Sequence, residues 1–351
     1  MNLTKENILK ALQNVDDPDL KKDIVTLGMV ENLQVDGKDV SFDLVLTTPA
    51  CPMKDTMVKA CETAIVYMVD KEANVRVNAT HRVKQNERTD DVLSGVKHVI
   101  AVASGKGGVG KSTLSASLAL SLSKMGAKVG LLDADIYGPS VPTLFNVHQS
   151  PEMREINGKN TMIPLESHGI KLLSIGFMTA QGQAVVWRGP MISSAFKQFI
   201  NDVNWGELDY LIVDLPPGTG DVQITLAQQA PLTGVVVVTT PQQMATEDAR
   251  RAVDMFQLDA IAKPIIGVVE NMSYFTPDDA PDKQYNLFGK GGGKKLADEM
   301  GLPFLGELPF VPSVGESADN GIWDVDSKYM DPYIQIAQQV AQQISVMQHA
   351  K

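Results

Sequence analysis

The sequence predicts an α/β protein: a doubly wound, mostly parallel sheet preceded by a small α+β domain. Five short runs rich in Val, Ile and Leu, at 99–103, 128–133, 210–214, 234–239 and 265–269, alternate with helical stretches. Apolar runs of this length mark strands covered on both faces, and helical crossovers between them make the sheet parallel. The first 80 residues carry a different pattern of alternating segments between two helices, and a polar stretch from His81 to Asp91 separates the two regions. The expected organisation is a domain over 1–80, a linker over 81–94 and a second domain over 95–351.

Taken in order, the chain predicts a helix over 4–14, strands near 29–35 and 40–46, a helix near 52–69 and a strand at 73–77. The five buried strands and their helices follow. From Asp331 onward, Ile334, Ala337, Ala341 and Ile344 share one helical face. The opposite face is rich in glutamine and nearly uncharged, so the helix is expected to pack on the protein rather than lie on a membrane.

Composition narrows the function. A chain of 351 residues, 44% hydrophobic, can bury a large core in two domains. Its formal charge of −11 argues against binding nucleic acid through a broad basic face, because duplex affinity rests on neutralising phosphates. No run approaches the ~20 apolar residues that span a bilayer and nothing resembles a signal peptide, so a cytoplasmic location without membrane contact is expected. Cys51 and Cys61 are the 2 cysteines, too few for a disulfide framework or for a four-cysteine metal site within one chain.

The strand at 99–103 runs into Ser104-Gly105-Lys106-Gly107-Gly108-Val109-Gly110-Lys111-Ser112-Thr113. The spacing of Gly105, Gly110, Lys111 and Ser112 is that of a phosphate-binding loop. Its glycines allow the turn, its backbone N–H groups face phosphate oxygens, and the next helix adds its positive end. The chain is therefore expected to bind a nucleotide. Lys106 adds a second cation where most such loops carry none, either as a solvated side chain or as a group that acts on phosphates.

Acidic residues end the next two strands, where an open α/β sheet collects its ligands. Asp214 follows four apolar residues and fits the carboxylate that holds Mg2+ opposite the Ser112 hydroxyl. Asp135 is the candidate for positioning an attacking water; capping of the following helix is the alternative for it and for Asp133. The segment Pro216-Pro217-Gly218-Thr219-Gly220 stiffens and then frees the backbone, as a phosphate-sensing switch requires.

With its second lysine the loop resembles the deviant Walker A group of dimeric ATPases. That group holds cell-division and plasmid-partition ATPases of the MinD/ParA type and iron–sulfur carriers of the Mrp/ApbC type. The segments 105–113, 133–140, Trp187-Arg188-Gly189-Pro190, 214–221 and 269–275 together resemble the Mrp/ApbC family over about 95–321, and the first 80 residues resemble the small SufT-like domain of iron–sulfur assembly factors. The resemblance implies a homodimer that binds ATP with Mg2+, hydrolyses it slowly and passes an iron–sulfur cluster to apoproteins. It also implies roles for single residues. Lys106 acts across the dimer interface on the partner's nucleotide, Lys111 holds the β- and γ-phosphates, and Ser112 and Asp214 manage Mg2+. The loop from Gly105 through Gly107, Gly108, Val109 and Gly110 to Thr113 cradles the phosphates, Asp135 serves the first switch and Asn271 reads the adenine edge.

One segment departs from the family. Many members follow Met-Ser-Tyr-Phe with a Cys-x-x-Cys pair, whereas Phe275-Thr276-Pro277-Asp278-Asp279-Ala280-Pro281-Asp282 has no cysteine. Aspartate is a hard ligand and replaces thiolate poorly on iron–sulfur. That leaves Cys51, in Thr47-Thr48-Pro49-Ala50-Cys51-Pro52-Met53, as the candidate ligand or handover group, in a loop entering a helix whose dipole is expected to favour the thiolate. Cys61 is expected in the core. A second reading stays open: a nucleotide-dependent regulatory switch acting on a protein or DNA partner without a cluster.

Overall fold

The computed structural model describes residues 2–85, 92–156, 158–178 and 189–349. The linker positions 86–91 and the Trp187-Arg188 pair of the family resemblance lie outside the described residues. By its contacts the chain divides into two units, Met1–Lys84 with Ala341–Lys351, and Gln85–Val340.

In the small unit, helix α1 (Lys5–Leu12) starts where the Thr4 hydroxyl accepts the Asn7 N–H, with Glu6 in its first turn. Two-residue strands β1 (Asp16–Asp17) and β2 (Lys22–Asp23) form a small ladder ahead of the main sheet. That sheet joins β3 (Val30–Asp36), β4 (Asp39–Leu46) and β5 (Asn74–His81), with β4 central, antiparallel to β3 and parallel to β5. Helix α2 (Lys54–Met68) links the parallel pair and buries Met57, Cys61 and Ile65, one turn apart, on a core that includes Ile8, Leu12, Phe42 and Leu44.

The large unit is built on an eight-stranded sheet. Its strands in chain order are β6 (Val96–Ser104), β7 (Val129–Asp133), β10 (Leu165–Ser167), β11 (Ile170–Ser174), β12 (Leu208–Asp214), β13 (Gly234–Thr239), β14 (Ile265–Glu270) and β15 (Phe304–Glu307). Their spatial order is β10-β11-β7-β12-β6-β13-β14-β15, and all neighbours are parallel except β10 and β11. The five strands expected from apolar runs match β6, β7, β12, β13 and β14, with β7 starting one residue later than expected, at Val129. Strand β6 sits inside the sheet between β12 and β13, so the loops leaving β6, β7 and β12 meet at one edge.

Helices α3 (Lys111–Lys124), α4 (Val141–Leu144), α5 (Gly189–Asn201), α6 (Asp221–Gln229), α7 (Gln243–Gln257), α8 (Gly292–Met300), α9 (Pro312–Asn320) and α10 (Asp331–His349) accompany these strands. A hairpin of β8 (Glu152–Ile156) and β9 (Lys159–Ile163) was not evident from the sequence, nor were β10, β11, β15 and α9. These elements are short or weakly patterned, which is where periodicity loses its signal. Helix α10 buries Tyr333, Ile336, Ala337, Val340, Ala341 and Ile344, a face rotated from the expected one so that Ile334 is only half-buried. From Ala341 its last turns count with the small unit. Among the described residues no helix is long and apolar enough to cross a membrane.

Candidate nucleotide site and the Cys51 loop

The loop between β6 and α3 has two of its four glycines in the left-handed region, Gly108 with φ 81° and Gly110 with φ 84°, a geometry that costs any other residue. Gly105 is glycine for another reason. A Cβ there would lie 2.1 Å from the backbone of Asp248 in α7, so the first loop glycine lets a helix pack directly on the loop. Small residues on α7 suit this approach, with Ala245, Ala249 and Ala252 all buried.

Asp214, at the end of β12, is fully buried and meets Ser112, as expected, together with Lys111, which the sequence placed on the phosphates rather than on this carboxylate. Lys111 Nζ lies 2.8 Å from its Oδ1, and the Ser112 hydroxyl donates to its Oδ2 at 2.6 Å. Ser115, which the sequence reading missed, donates to Oδ1 at 2.7 Å. Its position four residues after Lys111 puts it one turn along α3 on the same face, which was the available signal. Ser112 and Asp214 offer hard oxygens of opposite edges of one contact, the donor chemistry that suits Mg2+. An octahedral ion holds neighbouring oxygens roughly 3 Å apart, so only a small opening of the pair admits it.

Asp133, the last residue of β7, and Asp135, two residues beyond it, divide their roles. Asp133 is fully buried; its Oδ2 accepts from the N–H groups of Ser140 and Val141 and from the Ser174 hydroxyl, so it takes the capping alternative at the start of α4. Burial first, then the charge of Asp214, push its carboxyl well above the usual range. Asp135 accepts from the Gly138 N–H at 3.3 Å and lines a cleft of about 450 Å3 with Tyr137, Pro216, Pro217 and Gln223. Burial raises its carboxyl as well, opposed by Lys111 and reinforced by Asp214. The Pro-Pro-Gly segment is tied to β6 by Gly218 N–H donating to Ser104 O, and to α6 by Gln223 Nε2 donating to Pro217 O.

Lys106 is half-exposed, and among the described residues its ammonium has no hydrogen-bond or ion-pair partner. Asn271 is buried beside the loop, where its Nδ2 donates to Val109 O at 2.8 Å. Its neighbour Glu270, which the sequence reading also missed, is fully buried and accepts from the N–H groups of Gly291 and Gly293, closing the start of α8. A strand-end acid before a glycine-rich helix start is the signal that marks such a cap.

Cys51 corrects one expectation. Helix α2 begins three residues later at Lys54, and the thiol is pushed up rather than down, by burial first and then by the carboxylates of Asp19 and Asp17. The helix dipole does not decide its charge. Asp17 Oδ1 holds the N–H groups of Asp19 and Leu20 at 2.9 Å, which keeps this acidic turn beside the cysteine loop. Cys61 is fully buried and its thiol is pushed up to about 12, chiefly by burial. Alkylation of Cys51 by iodoacetamide should therefore be slower at pH 7.5 than that of free cysteine and should still be rising with pH above 9. Asp19→Asn should speed it, and an alkylation rate that levels off below pH 8 would contradict the acidic environment.

The mononucleotide loop, the buried Lys111–Asp214–Ser112 cluster and the parallel sheet define a P-loop NTPase domain. The chain belongs to the NUBPL iron-transfer P-loop NTPase family, whose profile matches residues 95–345, and residues 5–78 match the profile of iron–sulfur cluster assembly proteins. It is 44% identical over 351 residues to an iron–sulfur cluster carrier protein of Synechocystis sp., covering 98% of this chain and 99% of that one. Another carrier protein, of Deinococcus radiodurans, is 47% identical over 317 residues, covering 90% of this chain and 87% of the relative. Among solved structures, a nucleotide-binding protein of Archaeoglobus fulgidus in complex with ADP is similar at 35% identity with a TM-score of 0.59, covering 69% of this chain and 93% of that one. The cell-division ATPase MinD of Pyrococcus furiosus, at 18% identity and a TM-score of 0.51, covers 69% of this chain and 98% of its own, and shares the fold.

Proposed function

We propose that this protein binds MgATP, hydrolyses it slowly as a homodimer, and carries iron–sulfur clusters to apoproteins in the cytoplasm. The observation that supports carriage most is that the similarity to named carrier proteins runs over 98% of the chain, through both units, rather than over the NTPase alone. Lys111 moves from Asp214 to the β- and γ-phosphates when the nucleotide binds, and the loop N–H groups from Gly105 to Thr113 hold the phosphate chain. Mg2+, held by Ser112 and Asp214, supplies neutralisation of the charge that builds on the phosphates. Asp135, in the cleft beside the switch segment, orients the attacking water. Lys106 stabilises phosphate charge on the partner protomer's nucleotide, a role that suits a half-exposed cation with no partner among the described residues of its own chain. Asn271 Oδ1, which makes no hydrogen bond with the described residues, is left to accept from the adenine amine.

The cargo is held through Cys51. A cluster takes four thiolates in its usual form, and Cys61 is fully buried, so two chains supply two accessible thiols and the remaining positions fall to other ligands or a small thiol. Such a cluster is labile, which transfer needs. Anaerobic reconstitution with iron and sulfide should give the wild type visible charge-transfer absorbance and bound iron, while Cys51→Ser loses both and keeps its ATPase activity. Equal iron in the variant, or none in the wild type, would sink this reading. The acidic segment from Phe275 to Asp282, which lacks the family's cysteine pair, favours the nucleotide-dependent switch as the second reading in that event.

A further inference from the structure

We infer that Asn271 is a positioning residue for the phosphate-binding loop, so that its side chain supports the binding of any polyphosphate chain and not of adenine alone. The inference rests on the nucleotide-binding part of the reading above and is independent of cluster carriage. Asn271 leaves the end of β14 with its own N–H bonded to Thr239 O at 2.8 Å, which anchors it on β13. From there its Nδ2 reaches Val109 O at 2.8 Å, 162 residues away in the chain. Both partners are buried, Asn271 at 7% exposed and Val109 at 3%.

The bonded carbonyl sits between the two left-handed glycines of the loop, Gly108 and Gly110. In a planar trans peptide the carbonyl and the following N–H point in opposite directions. Holding Val109 O therefore also fixes the direction of the Gly110 N–H, one of the donors that a phosphate-binding loop presents to its anion. The amide packs on Gly110 as well, since a Cβ added there would lie 2.2 Å from Asn271 Nδ2. Glycines are costly to order, and this loop has four of them between residues 105 and 110. A buried donor from the end of β14, two strands along the sheet from β6, holds that order before the ligand arrives. The base is not involved in any of these contacts.

The test compares equilibrium binding of MgATP, MgCTP and inorganic tripolyphosphate to the full chain, in wild type, Asn271→Ala and Asn271→Asp. Loss of the buried hydrogen bond to the loop predicts a fall of about tenfold for tripolyphosphate in Asn271→Ala and at least as large a fall for the two nucleotides, whose base can lose a contact with Oδ1 as well. Asn271→Asp keeps the size of the side chain but turns a carboxylate oxygen toward Val109 O, so its loss should be larger. Hydrogen exchange without nucleotide gives an independent reading: in Asn271→Ala the amides over 105–111 should exchange faster while those of β12 stay as in wild type. Weaker MgATP binding with unchanged tripolyphosphate and MgCTP affinity would overturn the inference and leave Asn271 as a base reader. Unchanged exchange over 105–111, or a rise shared equally by β12, would overturn it too. A wild type that binds none of the three probes would instead defeat the nucleotide reading itself.

Discussion

Lys111→Ala should abolish measurable ATP hydrolysis and weaken MgATP binding on the order of 100-fold or more, because it removes the cation that sits beside the β- and γ-phosphates. The structure adds a second consequence. Without nucleotide Lys111 is 6% exposed and paired with a fully buried Asp214, so the substitution strands a buried carboxylate. Removing one partner of such a pair costs about 3–5 kcal/mol, and the nucleotide-free variant should melt well below wild type. Lys111→Ala combined with Asp214→Asn should recover much of that stability without recovering turnover. Lys106→Ala should behave differently, since its ammonium has no partner among the described residues. Its melting temperature and its nucleotide affinity as a monomer should stay near wild type, while ATP-dependent dimerisation and turnover fall. Calorimetric binding, sedimentation with and without MgATP, and phosphate release separate the two variants; equal loss of monomer affinity in both would remove the cross-interface role of Lys106.

Asp135→Ala should bind MgATP nearly as wild type yet turn it over at least ~100-fold more slowly, because only an interaction of the transition state is lost. The closed, ATP-bound dimer should then accumulate. Asp214→Ala should lose magnesium dependence along with activity. It should also be less stable, because Lys111 and Ser112 lose their acceptor at a buried carboxylate, while Ser115 can still donate to Lys111 O. A magnesium titration of binding and turnover distinguishes the pair, and normal turnover in Asp135→Ala would take that residue out of the mechanism.

How far the site could be read in advance differed from residue to residue. Glycine spacing and the lysine–serine pair are local chemistry, so the loop from Gly105 to Thr113 was legible, as was Asp214 behind its apolar strand. The partners of those residues were not. Ser115, Glu270 and the contact of Gly105 with α7 join positions far apart in the chain, and no local pattern states which strand ends will meet. Asn271 was expected to face a base, yet its amide nitrogen also holds the loop. Asp133 and Asp135 share the end of one strand and look alike in sequence; one donor-rich turn around Asp133 made it a cap and left Asp135 in the cleft.

Two things follow from sequence alone: the alternation of buried strands with helices, which makes the parallel α/β sheet, and the phosphate-binding loop, because both depend on contacts within a few residues. The environment of Cys51 shows where that reach ends. A cysteine entering a helix reads as a favoured thiolate, but the thiol is half-buried beside Asp17 and Asp19, residues more than thirty positions earlier, and their charges and the lost water raise its pKa. The buried face of α10, and the grouping of its last turns with the small unit, were likewise decided by packing. Burial and long-range charge depend on which surfaces the folded chain brings together, and only the tertiary structure holds that information.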